Sequence, residues 1–259
     1  MVVRLAPAFR LPFADDSAIR RVHGEGILLL GGGRALLMQI AHPSVARGVA
    51  EHSSFRHDRL QRLLRTLRPI FAIVYGSRDQ AMAAARSINR THDYVRGEGY
   101  DAHDPELLLW VWATLFDTAL ELHRLFVRPL AAYEKDAYYR DFQHVGELLG
   151  VPSWLLPSDI EAFAAYVQSR VTSLQVSDEA RRIAGHILRP LPPQWAVMWP
   201  LRQLTSGLLP PLLRDQYGLT WGTKRQCALD VTAALSRRLL PFVPRSLRQP
   251  PALLMPRSG

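Results

Sequence analysis

Along its 259 residues the chain repeats apolar side chains at steps of three and four in window after window, and nowhere sustains the period-two alternation of a half-buried strand. The pattern predicts an all-α fold, with helices near 16–30, 33–50, 57–75, 78–97, 104–127, 130–149, 158–172, 178–188, 194–207 and 221–240. Some ends are marked by chemistry. Asp104-Pro105-Glu106 supplies a capping carboxylate, a proline at the first helical position and an early acid. Gly76-Ser77 reads as a helix stop followed at once by a new cap, so the 57–75 and 78–97 helices form an antiparallel hairpin. Gly150-Val151-Pro152, Leu156-Pro157-Ser158 and the proline-rich run from Arg189 to Pro193 mark short linkers. None is long enough to require a second domain. One domain is expected over 1–259, with its core at about 20–240 and a peripheral tail at 241–259.

Within the 78–97 window Met82, Ala85, Ile88, His92 and Val95 step by three and four, which sets the imidazole of His92 in the apolar stripe. Periodicity leaves two readings, a core histidine satisfied by hydrogen bonds, which is the more ordinary, or a ligand or catalytic group. Asn89 and Arg96 would flank it on the same helix surface. An earlier stripe of Ala35, Met38, His42, Val45 and Val49 carries His42 directly before Pro43, a position pushed out of the α region, so the helix should kink or break there. His42 then either walls a pocket or caps carbonyls freed by the break. Glu51 opens a polar cluster that reads as a loop with a helix cap, and it stays a pocket candidate. On the preceding helix Arg62, Arg65 and Thr66 share one face. That face is either solvated and basic or set to clamp a carboxylate and polarise bound oxygen. Leu108, Trp112, Leu115 and Ala119 form a core stripe.

Composition removes several classes of chemistry. Cys227 is the only cysteine, which excludes an intrachain disulfide, a Cys-rich zinc site and a thiolate-held iron–sulfur cluster. The 32 Lys and Arg against 23 Asp and Glu give a net charge of +9. Only Lys135 and Lys224 are lysines, and the arginines are scattered along helical windows, as on solvated faces rather than a nucleic-acid site. Residues 1–16 lack the apolar run of a signal peptide, and the apolar stretch 26–41 is broken by glycines and Arg34, so a cytoplasmic location is expected. No phosphate-binding loop, dinucleotide fingerprint, H-E-x-x-H, G-x-S-x-G or paired E-x-x-H pattern occurs. Gly31-Gly32-Gly33 opens a helix and could hold an anion through backbone N–H groups, a weak signal without a preceding strand.

An ordered series of segments carries more information than any single one. Arg34 to Pro43 (RALLMQIAHP), Gly48 to Ser53 (GVAEHS) and Arg62 to Thr66 (RLLRT) are followed by Ile73-Val74-Tyr75-Gly76, His92 to Gly97, Asp104 to Val111 and Leu209 through Trp221. Over about residues 20–240 the chain resembles the family of rubber oxygenases (latex-clearing proteins) and the fungal mycophenolic-acid-pathway oxygenase. The resemblance implies a helical fold with a globin-like core, a heme b, and oxidative cleavage of carbon–carbon double bonds in isoprenoids by dioxygen. On it His92, in H-x-x-x-R with Arg96, matches the proximal ligand of the heme iron, with Asn89, Arg96 and Arg62 around the cofactor. Arg62, Arg65 and Thr66 match the distal-side segment. Arg65 stands where rubber oxygenases place a lysine, and a guanidinium that cannot shed its proton is a poor iron ligand. Asn89 stands where they carry an arginine, and Trp112 where many bacterial relatives have histidine. The pocket should therefore differ in charge and shape, and polyisoprene is not carried over as the substrate.

The functional expectation is a heme b-dependent oxygenase that uses dioxygen on a small apolar molecule, isoprenoid or otherwise alkene-containing. His92 would be the sole protein ligand of the iron through Nε2, its Nδ1–H held by a neighbouring acceptor. Arg62, Arg65, Thr66, His42 and Glu51 would stand on the catalytic side. The alternative is a heme- or small-ligand-binding protein without turnover, a sensor or carrier. A weak association with a membrane surface through the net charge is a third reading, and nucleic acid is not expected.

Overall fold

A computed structural model describes residues 11–52, 59–188 and 195–256, and for 59–66 and 195–198 the backbone alone. The helices run α1 (Ala18–His23), α2 (Gly32–Ile40), α3 (Pro43–His52), α4 (Arg59–Tyr75), α5 (Arg78–His92), α6 (Pro105–Leu122), α7 (Ala132–Leu148), α8 (Ile160–Ser173), α9 (Asp178–Leu188), α10 (Trp195–Leu208), α11 (Pro211–Gln216), α12 (Thr223–Leu239) and α13 (Arg245–Arg248). Among the described residues the only sheet is a hairpin of β1 (Arg96–Gly97) and β2 (Tyr100–Asp101), with Arg96 opposite Asp101. The all-α, single-domain expectation therefore holds.

The signalled ends form as their chemistry requires. Asp104 Oδ1 accepts from the Glu106 N–H at 2.8 Å, with Pro105 at the first position of α6. Ser77 Oγ accepts from the Gln80 N–H at 3.3 Å, and Gln80 Oε1 takes the Ser77 N–H at 2.9 Å, a reciprocal capping box that starts α5 one residue after α4 is stopped at Gly76. A Cβ at Gly76 would lie 2.4 Å from the Ala72 carbonyl oxygen. The two helices consequently pack as a hairpin.

The 33–50 window breaks at His42, as the following proline requires, and tertiary donors take up the exposed end of α2. Trp110 Nε1 donates to the Met38 and Gln39 carbonyls at 3.1 and 3.3 Å, and the Tyr217 hydroxyl donates to Leu37 O at 2.6 Å. His42 faces the other way. Its Nδ1 accepts from the Ser44 N–H at 3.3 Å, so it caps the start of α3 rather than the end of α2.

Other boundaries depart from the periodic reading. The 16–30 window divides into α1 and a 3-10 segment, Gly26–Gly31. Helix α5 ends at His92 rather than 97, because the chain turns there into the β1–β2 hairpin around Gly99, whose φ of +78 favours glycine. Helix α11 is six residues long, too short to register as a period. The glycine run is explained by close packing. A Cβ at Gly31 would sit 2.6 Å from Thr118 Cγ2, and one at Gly33 would sit 2.2 Å from Thr205 Oγ1, so α2 can approach α6 and α10 only without side chains there.

The core is centred on α6, which α2, α7 and α8 pack against. Trp110, Trp112 and Phe116 are fully buried on it, and Phe116 lies 4.8 and 4.9 Å, ring to ring, from Tyr138 and Phe163. Arg34 is buried in the same layer. It donates to Leu208 O and Thr118 Oγ1 at 2.7 Å each, and to Asp117 Oδ2 at 2.6 Å, which ties α2 to α6 and α10.

Candidate active site

Residues of α1, α2, α4, α5, α6 and α7 line a partly open cavity of about 370 Å³, within the range of small-molecule sites. Its walls are mostly apolar, with Leu28, Ala35, Phe71, Val111, Leu115 and Phe142 among them. Helix α5 presents Ile88, Thr91 and His92 to it, three- and four-residue steps along one face of the helix, Ile88 and His92 half-buried and Thr91 exposed. Helix α6 contributes Leu108, Val111, Trp112 and Leu115. The indole of Trp112 is fixed by donation from Nε1 to Phe142 O at 2.8 Å, and Gly146 gives it room, since a Cβ there would lie 2.9 Å from that nitrogen.

His92 thus reaches the cavity from the last turn of α5. Its Nδ1 is buried and, among the described residues, has no hydrogen-bond partner. The acceptor expected to hold that nitrogen is not found there. Burial first, then the nearby His103, lowers the His92 pKa below its ordinary value, with Asp93 opposing, so the ring is neutral at pH 7. His103 packs edge-on to it, ring centroids 6.0 Å apart, and Asp93 holds His103 Nε2 at 2.8 Å.

The remaining sequence candidates scatter. Arg62, Arg65 and Thr66 lie on α4, whose next turns bring Leu67, Ile70 and Phe71 to the cavity, but their own side chains lie outside the described residues. Asn89 is half-buried beside the His92 turn, its Nδ2 donating to Leu148 O at 3.4 Å and its Oδ1 buried with no partner among the described residues. Arg96 is exposed on β1, past the end of α5, and does not share a helix face with His92. His42 is half-buried at the α2–α3 break and is not among the residues lining the cavity. Burial, then Arg170, lowers its pKa. Glu51 is exposed on α3, where it accepts from the Tyr100 hydroxyl at 2.5 Å, and His52 Nε2 lies 2.9 Å from the same oxygen. The hydrogen bond to Glu51, more than burial, pushes Tyr100 up to about 12. That cluster fastens α3 to β2 and stands apart from the cavity lining.

The cavity also has polar lining residues outside the sequence candidates, His23, Glu25, Gln39, Thr91 and Thr118. His23, at the end of α1, lines the cavity with its Nε2 3.0 Å from the Tyr138 hydroxyl and its ring stacked on Phe142. Burial among these groups holds it down to about 4, so it is neutral. Ile19, Val22 and His23 do step by three and four, a signal present in the sequence but carried by only six helical residues. Glu25 lines the cavity too, paired in a two-pronged ion pair with Arg248 of α13, Nε at 3.0 Å from Oε2, a contact 223 residues apart in sequence.

The family model of the ER-bound oxygenase mpaB/B'/rubber oxygenase catalytic domain matches residues 20–238. The chain belongs to this family. Among its relatives are two uncharacterized proteins, one from Mycobacterium bovis and one from Mycobacterium tuberculosis, each 28% identical over 227 residues that cover 80% of this chain and 87% of theirs. No solved structure matches it. An oxygenase family suggests a metal or heme cofactor. Among the described residues of this mpaB/rubber-oxygenase chain, no group of three His, Cys, Asp or Glu side chains could hold a bare metal ion. Nor, among them, is any helix long and apolar enough to cross a membrane.

Proposed function

We propose that this chain is a heme b-dependent oxygenase acting with dioxygen on a small, apolar, alkene-containing molecule, with His92 as the protein ligand of the iron. The observation that carries the proposal is the place of His92, a neutral imidazole in the wall of an apolar cavity, whose Nδ1 is buried with no described group to satisfy it; since the acceptor expected to hold Nδ1 is not found among the described residues, Nδ1 rather than Nε2 is the nitrogen left to meet the iron. An unsatisfied buried polar group costs on the order of 1–3 kcal/mol, and native structures keep such a group for a reason, an ion or cofactor among them. A single imidazole beside flat apolar walls suits a porphyrin, which brings the other donors itself. The bound heme would supply dioxygen activation. The chain's own part is to hold the axial imidazole, exclude water with Ile88, Val111, Leu115 and Phe71, and shape the remaining space with the fixed indole of Trp112. Arg62, Arg65 and Thr66 belong to the helix paired with α5, and in this reading they form the distal side and orient polar groups of the bound reactants.

The test is an absorption spectrum of purified protein together with dioxygen consumption. Wild type should show a Soret band that His92→Ala loses and His42→Ala keeps, and dioxygen should be consumed when an isoprenoid diene is added. A Soret band untouched by His92→Ala would refute the ligand assignment. Bound heme with no dioxygen uptake across a set of dienes would leave a carrier or sensor.

A further inference from the structure

We propose that His23 is a recognition residue of the cavity, donating one hydrogen bond from its ring to an acceptor oxygen on the bound molecule, so that the substrate is an apolar chain bearing a carbonyl, ether or hydroxyl oxygen rather than a pure hydrocarbon. This rests on reading the cavity as a site for an apolar small molecule and narrows the class of that molecule.

The geometry comes from three contacts. The ring of His23 lies parallel to that of Phe142, 6.0 Å between centroids and 7° between planes, which fixes its orientation. Its Nε2 is 3.0 Å from the hydroxyl of Tyr138, a residue with no exposed surface. Its Nδ1 has no partner among the described residues, yet it is not sealed by packing, and His23 borders the cavity. A neutral imidazole carries one N–H and one lone pair. A phenol hydroxyl is a stronger donor than acceptor, so Tyr138 gives its proton to Nε2 and the ring N–H resides on Nδ1, the nitrogen left open. Unionised at neutral pH, His23 carries only that one N–H.

Other polar groups of the wall are wholly or partly committed. Glu25 is taken by Arg248 and Thr91 Oγ1 donates to Ser87 O at 3.0 Å, while Thr118 Oγ1 accepts from Arg34 and keeps its own hydroxyl hydrogen. Gln39 keeps free capacity, but no stacked ring or hydroxyl fixes it as Phe142 and Tyr138 fix His23. An oriented N–H in an apolar wall discriminates, because a ligand that covers it without offering an acceptor leaves it unpaired.

The experiment is calorimetric titration of the purified, cofactor-loaded protein with geraniol, its methyl ether and the corresponding hydrocarbon diene. The ether only accepts hydrogen bonds, so it reports a donor. In His23→Phe the ether should bind about three- to tenfold more weakly than in wild type, the value of one hydrogen bond, while the hydrocarbon is unchanged. His23→Gln, which retains an N–H, should recover part of the ether affinity. Tyr138→Phe leaves His23 in place but releases its tautomer, and it should weaken the ether alone, by less, which keeps the idea testable if His23→Phe does not fold. Equal weakening of ether and hydrocarbon, or an ether affinity that neither variant moves, overturns the proposal. If neither ether nor hydrocarbon binds wild-type protein, the apolar-substrate reading falls and His23 falls with it. If both bind and the variants do not separate them, only the assignment of His23 falls.

Discussion

Replacing Arg34 with methionine keeps most of the side-chain volume and removes the charge, which isolates what its three hydrogen bonds do. Arg34 is 5% exposed, and its guanidinium donates to Leu208 O, Thr118 Oγ1 and Asp117 Oδ2, at 2.7, 2.7 and 2.6 Å. The variant would leave a buried carbonyl, a buried hydroxyl and a carboxylate without their donor. Breaking a buried ion pair from one side costs about 3–5 kcal/mol. The side chain of Asp117 is 25% exposed and can recover some hydration, which places the expected loss near the low end, about 3 kcal/mol. For a chain of this size that is a fall of about 6–12 °C in Tm. Urea unfolding followed by far-UV circular dichroism should show the midpoint falling with the slope unchanged. Because Arg34 sets α2 against α6, and Ala35 and Thr118 both line the cavity, ligand affinity should fall as well. A loss below about 1 kcal/mol would refute the reasoning, since it would mean that water reaches the array. A double variant with Asp117→Asn then locates the discrepancy, for a true buried pair gives less than the sum of its singles.

Stability should also depend on pH through His23. Its folded pKa of about 4 lies below the 6.5 of the unfolded chain, so the unfolded state takes up the proton first as pH falls. The contribution is complete above about 6.5 and declines towards 4, reaching a loss of about 2 kcal/mol at pH 5; urea midpoints at pH 7 and 5 should show it, and His23→Phe should flatten it. Gly33→Ala should destabilise by about 1–3 kcal/mol through collision with Thr205, whereas Gly32→Ala, with nothing within 4 Å, should be neutral or slightly stabilising; thermal melts of the pair decide between packing and an anion site at this glycine run. Asp104→Ala should cost about 1 kcal/mol, measured the same way, by removing the cap of α6.

The parts of the fold that were legible in sequence are those fixed by local chemistry. The turn at Gly76-Ser77, the start of α6 at Asp104-Pro105 and the break before Pro43 each follow from a residue that forbids or satisfies a particular backbone group. Where the deciding contact is distant, the reading stopped short. Periodicity carried α5 through Val95 because Val95 continues the apolar stripe. What ends the helix is the β1–β2 hairpin, in which Val95 O accepts from the Ala102 N–H at 2.9 Å, a contact no helical window contains. The glycines at 31 and 33 looked like backbone donors for an anion because their partners, Thr118 and Thr205, lie 87 and 172 residues further on.

The same division runs through the site. The inward aim of His92 is a one-dimensional property, set by its step from Ile88, and the sequence displays it. Whether an inward histidine is a satisfied core residue or an open ligand depends on what stands opposite its nitrogens, which no window shows. Three histidines make the point. His42 sits in a longer and clearer stripe than His23, yet its Nδ1 is used on the Ser44 N–H, in the duty of a cap. His23 lines the cavity, engaged at one nitrogen by Tyr138, 115 residues away, and without a described partner at the other. Of the three, only His92 has a nitrogen that is buried and lacks a partner among the described residues. Periodicity ranks these three by how well they point inward, whereas chemistry ranks them by what remains unpaired once they arrive. The two rankings differ for His42 and His23 because a helix break supplies His42 with a backbone donor two residues on. An inward histidine directly before a proline is therefore better read first as the cap of the next helix. One within a continuous or terminal turn, with no free backbone donor in reach, is the better candidate for a ligand or a substrate contact.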